Sequence, residues 1–173
     1  MTSPNNPYKR IANYVASLPK ELLIGYRITK DEYSDDIIPF EIYKGTRGYI
    51  ERIADQINKA YYFHIYEGCL VLMRRLIETL LILAFRELKI ESEILDEQGN
   101  HLQLSKIIDK TMTNQTLALT KNSKQSLKPF ALGGNLSAHN LYFCARSTDL
   151  SSHFRLQFRS LVEELLNKAG ILK

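Results

Sequence analysis

Apolar residues recur at helical spacing over most of the chain beyond Thr46. In "TRGYIERIADQINKAYYFHIY", Ile50, Ile53, Ala54, Ile57 and Tyr61 fall on one helical face. The next run, residues 67–88, is apolar almost all round, which predicts a central helix with neighbours on most sides. Thr46 and Glu67 are the expected starting points of these two helices. "ESEILDEQGNHLQL" contains Gly99-Asn100, a turn signal between helices. Leu104, Ile107, Ile108 and Met112 then form a short amphipathic stripe, and "TNQTLALTKNSKQS" is a polar connection. A further helix is expected over about 122–132, stopped by Gly133-Gly134 because glycine takes the left-handed cap conformation readily. Asn135 would then cap a following turn. Over 150–169, Phe154, Phe158, Leu161, Val162, Leu165 and Leu166 return at three-to-four spacing, and Gly170 ends the run.

Residues 1–45 break this pattern. Proline recurs at positions 4, 7, 19 and 39, and two short helices are expected at about 8–17 and 20–26. "TKDEYSDDIIPFEIYKG" reads as a connecting loop, acidic first and aromatic after. The chain thus divides into an appendage with its loop, 1–45, and a helical domain, 46–173. No hairpin signal is found. The expected fold is all-α, a bundle of four to five core helices with short connections.

Composition fits one such core: 173 residues, 45% apolar and 24% charged. The run "GCLVLMRRLIETLLILAF" (68–85) has the length of a membrane span, but Arg74, Arg75 and Glu78 sit in its middle. Mid-span charges cost roughly 2.5–3.5 kcal/mol each on insertion scales, so a buried bundle helix is expected and no membrane partner. "MTSPNNPYKR" has no apolar core of the kind an export signal needs. Only Cys69 and Cys144 occur, far apart, which points to the reducing cytoplasm. A net charge of +4 permits a nucleic-acid partner without demanding one.

The candidate chemistry is sparse. His64, His101, His139 and His153 include no i, i+4 pair, and His139 and Cys144 lack a zinc spacing. Gly133-Gly134 precedes no Lys-Ser or Lys-Thr, and there is no nucleophile elbow. No metal or cofactor is expected. Two stretches remain. In "MRRLIETL" (73–80), Arg74 and Glu78 lie one helical turn apart within apolar company, either on a solvated stripe or in a polar pocket. In "GGNLSAHN" (133–140), the bland account is a helix cap and an ordinary polar histidine. The sharper one makes His139 a general acid or base oriented by Asn135. On that account His139, Asn135 and at least one of Arg74 and Arg75 share a pocket between the central helix and the turn after Gly134.

The combination of "GCLVLMRRLIETLLI" with "GGNLSAHN" some sixty residues later, preceded by "RGYIERIADQIN" (47–58), resembles a bacterial family of uncharacterised helical domains. Its members carry an apolar helix of the type A-C-x-x-x-x-R-R-x-x-E, and later a glycine, asparagine or aspartate and alanine-histidine motif. That family is similar to the HEPN superfamily, small helical bundles that often dimerise. Many are metal-independent ribonucleases of toxin and antiviral systems, with an arginine, often followed directly by asparagine, separated from a histidine by four to six residues. The resemblance covers about 46–169. It implies a homodimer, which would also cover the aromatic excess of "YYFHIY" (61–66), and RNA as a partner. His139 matches the histidine and Asn135 the asparagine, but the arginine position falls on Gly134, and the alternative spacings on Gly133 and Leu132. Loss of that cation removes the stabiliser of a developing phosphorane charge. Arg74 or Arg75 from the central helix, or Arg146 from beyond the motif, would have to replace it. His139, Asn135 and Arg74 are therefore the candidate catalytic residues, with Arg75, Glu78, Asn140 and Arg146 as candidate ligand-binding residues. Two readings stay open: a non-catalytic binding module, nucleic-acid-associated and part of a defence or toxin system, which is favoured, and a ribonuclease with a displaced arginine.

Overall fold

This computed structural model of the chain describes residues 36–172. The helices expected at about 8–17 and 20–26 lie outside them. The described part is all helical: α1 (Phe40–Tyr43), α2 (Gly48–Tyr62), α3 (Tyr66–Glu87), α4 (Leu104–Thr113), α5 (Lys121–His139) and α6 (Ser152–Lys168). Short 3-10 turns precede α4 and α6. No helix here is long and apolar enough to cross a membrane.

The central helix is α3. Met73, Leu76, Ile77, Leu80, Leu81 and Phe85 are all but inaccessible to solvent, and α5, α2 and α6 pack around them. The α2 stripe of Ile50, Ile53, Ala54 and Ile57 is buried as the spacing requires. At Gly99 the backbone turns with φ +81°, while Asp96 Oδ1 accepts from the N–H groups of Gln98 and Asn100. The side chain completes what a tight turn leaves unpaired.

Residues 36–45, read from the sequence as connecting loop, contribute Ile37, Ile38 and Tyr43 to the core. A buried amide holds them. Asn58 Oδ1 accepts from the Ile38 N–H at 3.0 Å, and Asn58 Nδ2 donates to the Ile38 carbonyl at 2.7 Å. Arg159 donates to the carbonyls of Asp36 and Ile37.

The expected stop at Gly133-Gly134 is not there. α5 runs unbroken from Lys121 to His139, through Pro129 as well. Neither glycine has positive φ, so Asn135 is a helix-interior residue and caps nothing. The reason is steric. A Cβ on Gly134 would stand 2.4 Å from Arg74 Cβ and 2.9 Å from the Leu70 carbonyl oxygen; on Gly133 it would stand 3.4 Å from Leu70 Cδ2. The glycines let α5 lie directly on α3, and that contact outweighs a local helix penalty of about 1 kcal/mol per glycine.

α2, α3, α5 and α6 alternate in direction. Ala145 N–H donates to Glu67, and Arg155 lies 4.8 Å over the Tyr61 ring, which gathers the end of α2 and the starts of α3 and α6 at the end of α5. At the opposite end, Glu164 of α6 accepts from Thr120 N–H and from the Thr120 and Ser123 hydroxyls, fixing the start of α5.

A methyl at Gly134 has no room, so Gly134→Ala is expected to cost about 1–3 kcal/mol, the usual penalty of overpacking. Gly48→Ala is the control, because nothing lies within 4 Å of a Cβ there. Thermal unfolding of the two variants checks this. Each kcal/mol shifts the midpoint by roughly 2–4 °C in a domain of this size, and Gly48→Ala should not lower it.

Burial pushes the Glu164 carboxyl up, but hydrogen bonds from Ser123 and Thr120 outweigh it and hold the pKa below its ordinary value. A carboxylate with a lowered folded pKa adds stability above the ordinary carboxylate range and loses it as pH falls through the lowered value. Glu164→Gln should therefore lower the melting midpoint at neutral pH, by about 1–3 kcal/mol for hydrogen bonds to a charged group. The gap to the parent protein should close as pH falls through the lowered value, once the parent carboxylate also takes its proton.

Candidate functional site

The polar groups picked out by the sequence sit on both sides of the α3–α5 crossing. Arg74 lies on it. Its Cβ and Cδ border Gly134, its guanidinium reaches Glu78 Oε2 at 3.5 Å, and the two side chains keep 29% and 30% of their exposure. The setting is intermediate between a solvated stripe and a closed pocket. Arg74 Nε is buried with no hydrogen-bond partner, as is Ser137 Oγ of α5. Arg75, the next residue round α3, is exposed.

His139 and Asn135 are exposed on α5. At about 100° per residue, Asn135 is turned about 100° and His139 about 140° away from the Gly134 face. Among the described residues, no hydrogen bond joins either of them to Arg74, Arg75 or Glu78. The turn expected after Gly134 comes six residues later. There Asn140 Oδ1 accepts from the N–H groups of Tyr142 and Phe143 and closes the end of α5. Asn140 is thereby assigned to the backbone, a common use of asparagine at a turn. Arg146 is exposed, and its N–H donates to Asp149 at the 3-10 turn before α6.

Other reactive groups are no closer to a catalytic set. Cys69 is buried, and burial alone pushes its thiol up to about 12, far from a nucleophilic thiolate. Cys144 is exposed, and neither cysteine is in a disulfide. No group of three or more His, Cys, Asp or Glu among the described residues is placed to hold a metal ion. A shallow apolar groove of about 380 Å³ opens at the α2–α3 turn beside Phe63, Ile65 and Leu72. A wider, more polar cleft of about 700 Å³ lies at the opposite end beside Glu41, Ser160, Glu163 and Lys168.

Sequence reasoning missed the surface next to His139. Leu141 is 87% and Tyr142 91% exposed. The signal was present: both follow Asn140 in a stretch with no helical periodicity, so no face existed on which to bury them. No protein-family model, curated protein or solved structure matches the chain.

Replacing Arg74 by Met keeps an apolar stem on Gly134 and removes a buried donor without a partner. The exchange also removes the long, partly exposed pair with Glu78, worth about 0–1 kcal/mol, so Arg74→Met should lower stability by no more than about 1 kcal/mol. His139→Ala changes an exposed side chain and should move stability by no more than about 0.5 kcal/mol. A fall of several degrees in either variant, read by calorimetry, would show a structural role that these contacts do not contain.

Proposed function

We propose that the chain is a non-catalytic helical module that binds nucleic acid. One observation carries the non-catalytic part: Arg74 is laid against Gly134 and paired with Glu78, while His139 is exposed and turned away from that face. An acid–base group and the cation that stabilises its transition state must meet across one reacting phosphate. Nothing in these positions supports that meeting. Binding is supported by the basic excess and by the open surface after α5. Part of the basic excess has structural duties, because Lys124 donates to the Met112 carbonyl and Arg159 to residues 36 and 37. Attraction to phosphate is therefore modest. The HEPN resemblance adds the defence or toxin setting, and the two unpaired cysteines favour the reducing cytoplasm. A homodimer covering residues 61–66 is a competing use of the same end of the bundle, and light scattering at micromolar concentration distinguishes it.

The test is incubation of the purified protein with mixed RNA and DNA, with and without chelator, beside His139→Ala. The expected result is reversible binding without cleavage. Affinity should fall about tenfold between 50 and 200 mM salt, as for some two phosphate contacts. Chelator-insensitive cleavage that disappears in His139→Ala would replace this proposal with the ribonuclease.

A further inference from the structure

One end of the bundle concentrates flat side chains. Among the described residues, eight aromatic or imidazole rings are exposed: Tyr49, Tyr62, Phe63, His64, His101, His139, Tyr142 and His153. Six of them, all but Tyr49 and His101, lie where α2 and α5 end and α3 and α6 begin. The Ala145–Glu67 hydrogen bond and the Arg155–Tyr61 contact tie these termini together. Rings at such a site normally find cover. Instead, Tyr142 is 91% exposed on a turn held rigid by Asn140, and Phe63 is propped edge-on against Tyr62 with centroids 5.3 Å apart. His64 is fixed by a 2.6 Å hydrogen bond to the Tyr66 hydroxyl. These rings are set in place before any ligand arrives, which lowers the ordering cost of binding.

One exposed cation at this end can meet an anionic partner. Arg146 is exposed among the rings. Of the neighbouring acids, Asp55 is paired with Lys59, while Glu67 accepts from the Ala145 N–H and Asp149 from the Arg146 N–H. Flat rings beside a cation match a strand whose bases are open on both faces and whose backbone is anionic. A duplex hides its base faces in its own stack and cannot use the rings.

We propose that this end of the bundle is a stacking platform for unpaired nucleic acid, with Tyr142 and Phe63 as its leading rings. The inference rests on the nucleic-acid reading above and narrows it to single strands and to one surface.

The experiment measures fluorescence anisotropy of labelled mixed-sequence strands of about twelve nucleotides, RNA and DNA, and of the blunt duplex. The full chain is compared with Tyr142→Ala, Tyr142→Phe, Phe63→Ala and, from the opposite end of α2, Tyr49→Ala. Single strands are expected to bind at least tenfold more tightly than duplex. Base–aromatic stacking of about 1–3 kcal/mol converts to a loss of roughly 5- to 150-fold in Tyr142→Ala. Tyr142→Phe should retain binding and Tyr49→Ala should change nothing. Melting midpoints should stay equal, since the side chain is exposed. Equal affinity for duplex and single strand, with Tyr142→Ala indistinguishable from the parent, would overturn the platform and leave the nucleic-acid reading standing. Absence of binding to any of the three would overturn both. Tyr142-dependent adsorption to phosphatidylserine vesicles, or self-association that Tyr142→Ala abolishes, without strand binding, would also overturn the platform and assign the surface to a bilayer or a second copy.

Discussion

The crossing of α3 and α5 at Gly134 is the contact on which the rest of this bundle depends. With a Cβ site only 2.4 Å from the Cβ of Arg74, the two backbones are closer than a Cβ on both helices would allow. Interiors are packed to near-crystalline density, so a contact this tight fixes the neighbouring helices as well. It explains why α5 continues through Pro129 and two glycines, where local preference favours a break. Continuation carries His139 to the last helical position and moves the turn to Asn140. The same continuation leaves Asn135 and His139 exposed on α5.

The bundle was legible in the sequence because burial imposes a period. The stripe of Ile50, Ile53, Ala54 and Ile57, and the all-round apolar run of α3, each had one physical solution. The misread elements are those whose reason lies in another part of the chain. Glycine carries two opposite meanings, a left-handed turn or a close approach, and only the neighbour distinguishes them. At Gly99 the local account holds; at Gly134 the tertiary one does. Ile37 and Ile38 beside Pro39 are loop, as read, but their burial follows only from Asn58, which receives them. For the site, the residue types were legible and their juxtaposition was not. Spacing along the chain places Arg74 and Glu78 together by helix geometry, but says nothing of which face of α5 meets them.

The polar groups within this apolar frame follow a graded rule. Asn58 and Glu164 are fully engaged and hold segments together. Arg74 is half-engaged, with one long contact and one buried donor left over. The exposed rings after α5 are engaged by nothing that stabilises the fold.

The amide of Asn58 has one further consequence. A single side chain supplies both halves of what a neighbouring strand would give Ile38, an acceptor for its N–H and a donor for its carbonyl. That makes it a register lock. Sliding the segment by one residue in one direction brings Pro39 into place, which has no N–H to give. Sliding it the other way draws Ile38 out of its position in the core. The register of residues 37–39 on α2 is thus set by one amide, with the Arg159 bonds to Asp36 and Ile37 beside it.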